Sequence, residues 1–136
     1  MKIIDSMVKE IRGKSGLVQW TNTTEVINWF KSIQNKQMSK FIQFDIVGFY
    51  PNIKPTLLDD ALAWSAGLVD LSEQQKKIIF QARKSFLYLN EKPWVKKGDV
   101  NFDVELVSYD GAQVCELVGL FILSQMTHLP DYKPGK

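Results

Sequence analysis

The stretch from Phe41 to Pro51 constrains the fold of this chain more than any other segment. The apolar residues between Phe41 and Val47 predict a buried β-strand, which carries one carboxylate, that of Asp45, near its end. Pro51 ends the strand because proline has no backbone N–H to donate to a sheet. A carboxylate on a buried strand is costly unless it is paired or holds a metal ion. Asp45 is therefore the first candidate for metal-assisted chemistry, and the alternative is an exposed acid at a strand end.

The composition is that of a globular protein, and the length suits one compact domain or a piece of a larger one. Hydrophobic residues make up 45% of the 136 residues and charged residues 24%, which is too apolar for disorder. The formal charge of +2 is too small to identify a nucleic-acid-binding protein by itself. A single cysteine, Cys115, excludes an intramolecular disulfide and favours an intracellular location, in cytoplasm or nucleus. The apolar run from Val114 to Met126 is short for a membrane span and contains Glu116, so we expect a buried helix and no membrane partner.

Apolar spacing and capping residues predict a largely helical chain with a few strands. Five helices are expected: 1–12, ended by Gly13 and Gly16; a helix after the capping residues 21–25; Thr56 to Ala66, opened by Pro55; Glu73 to about Phe86, capped by Ser72; and a long apolar helix ending near Met126. Besides the strand at 41–47, we expect a hairpin over 87–95 and a half-buried strand over 102–107. This order is typical of the α+β class rather than of strict βαβ alternation.

The residues around Asp45 resemble motif A of reverse transcriptases, with Phe44-Asp45-Ile46-Val47-Gly48-Phe49-Tyr50-Pro51 followed by a helix over 57–62. The group it resembles most is that of eukaryotic retroelements, including Penelope-like ones. The similarity covers nearly the whole chain. Upstream it takes in segments between 11 and 31, and downstream it takes in 82–85, 93–98, 102–104 and 108–120, the last of which resembles motif B and its helix.

This resemblance implies part of a right-hand polymerase, with helices packed on a small, mostly antiparallel sheet. Residues 1–40 would form fingers-like helices, and residues 41–136 would form a palm with motifs A and B. The implied activity is RNA-directed DNA synthesis by two-metal nucleotidyl transfer. The implied partners are an RNA template, a DNA primer and a deoxynucleoside triphosphate.

The resemblance also implies roles for residues of motif A. Asp45 would bind both catalytic metal ions, and the backbone carbonyl of Ile46 would be a further ligand. Phe49 and Tyr50 would lie at the nucleotide, where the ring of Tyr50 would pack under the sugar and exclude a 2′-hydroxyl. The alternative for Tyr50 is an ordinary core or hairpin aromatic residue.

In the segment that resembles motif B, Gly111 and Gln113 would contact the nucleotide or the template backbone. The alternative is a tight turn in which Asp110 caps a core helix. This chain departs from the family at Gln113, where members usually carry Glu, and at Gly48, where they often carry an acid. Glu116 is either a helix-edge residue or the partner of a buried Lys or Arg.

Basic residues interleaved with aromatic ones suggest a surface that grips nucleic acid. The candidates are Arg83, Lys84, Lys96 and Lys97, beside Trp94 and its neighbours, with a second group of lysines at 31, 36 and 40 beside aromatic residues. The alternative is a solvated face over an ordinary core.

A second catalytic acid pair, motif C of the family, is not found after Met126. The adjacent acids Asp59 and Asp60 do not replace it, because neighbouring helical residues point about 100° apart. We therefore expect Mg²⁺ or Mn²⁺ binding only where motif C completes the site, and no polymerisation by this chain alone. Two alternatives remain: a non-catalytic nucleic-acid-binding or degenerate retroelement-derived domain, and an unrelated α+β interaction domain.

Overall fold

A computed structural model describes residues 2–41, 43, 45–84, 87–94, 102–104 and 108–128 of this chain. Within these residues helices dominate and strands are short. The elements in chain order are α1 (Lys2–Ser15), α2 (Thr23–Ser32), a 3₁₀ turn (Lys36–Met38), α3 (Phe49–Asn52), α4 (Pro55–Ala66), α5 (Glu73–Gln81), β1 (Leu87–Leu89), β2 (Lys92–Trp94) and α6 (Gly111–Met126). The α+β class is confirmed in this general sense, whereas the polymerase arrangement stays a prediction.

Three helices build the core, with α1 and α4 both packed against α6. Each of the two outer helices buries one stripe at the spacing of a helical face: Ile4, Met7, Val8 and Ile11 on α1, and Leu58, Ala61, Leu62 and Ser65 on α4. Helix α6 buries residues on most of its circumference, as expected for a central helix. Helix α1 thus shares one core with α4 and α6, and the assignment of residues 1–40 to fingers-like helices stays a prediction.

The helix boundaries follow local chemistry. Pro55 is the first residue of α4, where its missing N–H costs nothing, and Ser72 caps α5 in a reciprocal capping box with Gln75. The prediction for α1 is wrong at its end, because Gly13 lies within the helix and Gly16, with a φ of +65°, follows it.

Helix α5 ends at Gln81, earlier than the predicted end near Phe86. The chain leaves the helix because the N–H of Arg83 bonds the carbonyl of Phe80 at 3.1 Å, and Lys84 then forms an isolated antiparallel bridge with Phe102. This bridge is all that the described residues show of the strand predicted over 102–107.

The predicted hairpin is confirmed, with β1 and β2 antiparallel and Leu89 opposite Lys92. Both turn residues, Asn90 and Glu91, have positive φ, which matches the right-handed twist of a two-residue hairpin. Tyr88, Leu89 and Trp94 are exposed. The described core is mostly made of helix-on-helix contacts, with Ile53, Val69 and Val104 added from the connecting segments. The described side chains of the hairpin from Tyr88 to Trp94 are exposed, and the packing of helices on a sheet stays a prediction.

The prediction of a buried strand over 41–47 is wrong for the residues of that stretch that the structure describes. Residues 41, 43, 45 and 46 have no regular structure, and Phe41, Ile46 and Val47 are exposed. A strand needs a neighbour to bond its backbone groups, and the strand pairing seen in the described residues involves only the hairpin and the bridge at Lys84. None of the helices in the described ranges is long and apolar enough to cross a membrane.

Candidate functional site

Three segments that the sequence analysis singled out meet at the N-terminal half of α6. Helix α3 packs against α6, the end of α5 reaches it through Arg83, and the turn before Gly111 leads into it. We call this group the α6 cluster; its members are Tyr50, Arg83, Asp110, Gly111, Gln113 and Cys115.

Tyr50 contacts α6 through its hydroxyl, which lies beside the thiol of Cys115. Gly48, with a φ of +61°, starts the turn of α3 that carries Tyr50, and the amide of Asn52 donates to the Gly48 carbonyl at 2.9 Å. Burial raises the pKa of Tyr50, and hydrogen bonding with Cys115 raises it further. Burial raises the pKa of the Cys115 thiol to about 11, although Tyr50 and the charge of Arg83 both lower it. The ring of Tyr50 is thus held in place by a neutral, buried partner.

Arg83 and Asp110 form a buried ion pair, with only 2% and 4% of each residue exposed. The prediction that Arg83 lies on an exposed basic surface is therefore wrong. Asp110 occupies the N-cap position of α6, but its side chain caps no helix N–H, because the carboxylate bonds Nη2 of Arg83. The guanidinium atoms Nε and Nη1 are buried without a hydrogen-bond partner.

Gly111 and Gln113 lie in the first turn of α6. Gly111 is buried, and its N–H donates to the carbonyl of Ser108 at 3.1 Å. The side-chain oxygen of Gln113 is buried without a hydrogen-bond partner. Unpaired buried polar atoms are rare in folded proteins, and here they occur at both Arg83 and Gln113 of the α6 cluster.

Asp45 and Ile46 lie in the irregular stretch before α3, and both are exposed. Among the described residues, no group of three or more acidic, histidine or cysteine side chains is placed to hold a metal ion. Asp45 alone does not fit a two-metal centre, which needs carboxylates from more than one position.

The remaining predicted contacts are spread over the chain. Phe49 is half-buried against the core, with its ring 6.5 Å from that of Tyr50. Lys84 is exposed beyond the end of α5. Lys96 and Lys97 lie outside the residues that the structure describes.

A second feature is a group of aromatic rings around α2, a helix that buries none of its residues; Trp20, Phe30 and Phe41 are exposed and Trp29 is half-buried. Trp20, Trp29, Phe30 and Phe41 form a chain of rings, with centroids 4.8 Å apart for Trp20 and Trp29, 6.1 Å for Trp29 and Phe41, and 5.6 Å for Phe30 and Phe41. The ammonium of Lys36 lies 5.7 Å from the Phe30 ring. We call these four rings the aromatic surface. The sequence analysis found basic residues beside Trp29 and Phe30 but not the contribution of Trp20.

The structure decides between the two alternatives for Glu116. Glu116 pairs with Arg12 of α1, so it is the partner of a half-buried arginine. Arg12 also donates to Gln19 at 3.1 Å. The pair of Arg83 with Asp110 was not predicted, because the two residues are far apart in sequence and each has an ordinary local explanation.

No protein-family model matches this chain, and comparisons with curated proteins and with solved structures find no match either.

Proposed function

We propose that this chain is a portion of the palm and fingers of a reverse-transcriptase-like polymerase, whose function is RNA-directed DNA synthesis on a primed RNA template. One observation carries the proposal: the segment after Asp45 packs, through Tyr50, on the helix that follows the Tyr109-Asp110-Gly111 turn. The resemblance gives these two segments adjacent roles at one nucleotide. Their contact supports that assignment.

Tyr50 is suited to select the sugar of a nucleotide. Its ring is confined by Phe49 on one side and by the Cys115 contact at its hydroxyl. A confined ring leaves no space for an additional oxygen, so it discriminates by exclusion rather than by a new bond. The exposed carboxylate of Asp45, five residues earlier, is free to bind Mg²⁺ or Mn²⁺ together with acidic groups from elsewhere.

The aromatic surface supports a nucleic-acid partner. Exposed rings offer faces on which unpaired bases stack, and Lys31, Lys36 and Lys40 lie along the same segment. Each base stacked on an aromatic side chain contributes about 1–3 kcal/mol to binding.

Binding to a labelled RNA–DNA primer–template, measured by fluorescence anisotropy at several salt concentrations, tests the nucleic-acid partner. We expect affinity to fall linearly with salt on logarithmic axes, because lysine–phosphate contacts release counterions. Trp29→Ala should weaken binding, whereas Ile78→Ala, which truncates an exposed apolar side chain on α5, is the control and should leave binding unchanged. Absence of binding at low salt would leave an unrelated interaction domain as the better explanation.

Primer extension tests the catalytic part of the proposal. We expect no extension by this chain alone, since Asp45 is exposed and the described residues hold no group of acidic side chains that could complete a metal site with it. Robust extension that Asp45→Asn abolishes would show that the chain holds its metal ions without further acids, and our expectation would be wrong.

The exposure of Asp45 and the lack of an acidic cluster among the described residues favour a second candidate, a non-catalytic nucleic-acid-binding or degenerate retroelement-derived domain. The two candidates differ in their response to Mg²⁺. A polymerase portion should bind a deoxynucleoside triphosphate on its primer–template more tightly with Mg²⁺, and Asp45→Asn should remove that gain. A non-catalytic domain should show neither effect.

A further inference from the structure

We propose that Arg83 and Asp110 are positioning residues, whose buried ion pair holds the turn before α6 so that Tyr109 projects outward to stack on a base. This inference rests on the proposed function, because it assigns Tyr109 a nucleic-acid partner. It adds a stacking residue and its support to the α6 cluster.

Stability alone gives a poor reason for this pair. Removing two charges from water costs several kcal/mol per ion, and the attraction offsets this only where the remaining hydrogen bonds are also made. Here two of the guanidinium nitrogens of Arg83 have no partner. Apolar side chains of similar size at both positions would stabilise the fold as well or better. An ion pair fixes the position of the Asp110 side chain relative to Arg83, whereas apolar contacts in the same place would not.

The geometry shows what the pair fixes. Arg83 is anchored on both sides, since its N–H bonds the carbonyl of Phe80 at 3.1 Å and its carbonyl accepts the N–H of Asp103 at 2.9 Å. The guanidinium of Arg83 then pairs with the carboxylate of Asp110 and holds it in the protein interior. Asp110 is buried with 4% of its surface exposed, whereas the preceding residue, Tyr109, is 88% exposed.

The position of Tyr109 suits a base. It lies two residues before Gly111, at the end of α6 against which Tyr50 packs. The charge of Arg83 also acts on Cys115, the residue that contacts Tyr50, so the ion pair and the Tyr50 contact belong to one neighbourhood. A ring held beside the nucleotide site can stack on a template base without reading its sequence.

The decisive variant replaces the ion pair by apolar side chains, Arg83→Met together with Asp110→Leu. We expect the melting temperature to be unchanged or higher and the affinity for the RNA–DNA primer–template to fall by about tenfold. If the pair served stability alone, a double variant as stable as the wild-type protein would bind the primer–template with unchanged affinity. The control is Arg12→Met with Glu116→Leu, which removes the other ion pair on α6 and should leave affinity as it is.

A second comparison isolates the ring. Tyr109→Ala should lower affinity without changing its salt dependence, since stacking releases no counterions, and Tyr109→Phe should retain full affinity. Ile78→Ala, which truncates an exposed side chain on α5, is the control.

The outcomes separate the two proposals. If the wild-type protein binds no primer–template, the proposed function fails and this inference fails with it. If the wild-type protein binds and Tyr109→Ala binds equally well, the inference is overturned while the proposed function stands. If the apolar double variant does not fold, the pair is needed for stability, and the positioning role of Arg83 and Asp110 is overturned whatever the affinity of Tyr109→Ala.

Discussion

Cys115 illustrates how burial sets the chemistry of a single side chain. Cys115 lies in the N-terminal half of α6 with 7% of its surface exposed, and burial raises the pKa of its thiol from an ordinary 9.0 to about 11. At pH 8 its thiolate fraction is therefore about 100-fold smaller than in the unfolded chain. We expect iodoacetamide to label Cys115 far more slowly in the native protein than in urea, with mass spectrometry as the measurement. Rapid labelling of the native protein would contradict the burial.

The same shift makes stability depend on pH in the alkaline range. The folded state holds the thiol proton up to about pH 11, whereas the unfolded chain releases it near pH 9. The contribution of Cys115 to the free energy of unfolding is therefore complete below pH 9 and is lost as the pH rises through 11. Urea denaturation at pH 8 and pH 10 should show this fall, and Cys115→Ala should reduce it.

The sequence predicts the burial of some individual residues and not of others, and the difference has a physical reason. Burial of Cys115 follows from its apolar helix, a property of its own neighbourhood in sequence. The burial of Arg83 depends on Asp110, which is distant in sequence, and nothing near Arg83 indicates a partner. Lysines and arginines look alike on a surface and in a buried pair until the fold brings the second charge near.

Helix α2 shows what an element does when it lacks tertiary packing. It buries no residue, so its stability depends on its caps. The side chain of Asn22 accepts the N–H of Glu25 at 3.0 Å, and the carboxylate of Glu25 accepts the N–H of Thr21 at 2.8 Å. That backbone hydrogen bond is the main reason that the pKa of Glu25 is lowered. The start of α2 therefore depends on an ionised carboxylate.

We expect acid to loosen α2 before the rest of the protein. Since the pKa of Glu25 is lowered, its contribution is complete above its ordinary value of 4.5 and is lost as the pH falls through the folded value. Amide hydrogen exchange across residues 23–26 should accelerate between pH 5 and pH 3, after correction for the intrinsic rate, while α6 stays protected. Glu25→Gln should abolish this difference. Equal acceleration in α6 would mean that α2 is not an independent unit.

Elements differ in how well the sequence predicts them. The helix over 55–66 and the hairpin at Asn90 and Glu91 follow from local signals, proline at the first helical position and two turn residues between strands. The strand predicted over 41–47 has no such local signal to specify it. Apolar residues indicate that a segment suits a sheet, but pairing needs another strand alongside, and local sequence cannot specify that neighbour.

The molecule as a whole has an uneven distribution of packing. Helices α1, α4 and α6 share the buried core, whereas residues 18–47 include several large exposed apolar side chains, among them Trp20, Phe30 and Val47. Local openings in proteins range from almost no free energy cost up to the cost of global unfolding, according to buried contacts. The three-helix core should therefore set global stability, and the region around α2 should open separately.

Two truncations of similar chemistry test this division. Leu117 is fully buried at the centre of α6, and its replacement by Ala should lower the free energy of unfolding by about 2–5 kcal/mol, through lost transfer energy and the cavity left behind. Ile27 on α2 is 47% exposed, and Ile27→Ala should change it by no more than about 0.5 kcal/mol. Urea denaturation followed by α-helical circular dichroism gives both values. A loss at Ile27 as large as that at Leu117 would mean that α2 folds as part of the core, and the aromatic surface would then be covered rather than open to nucleic acid.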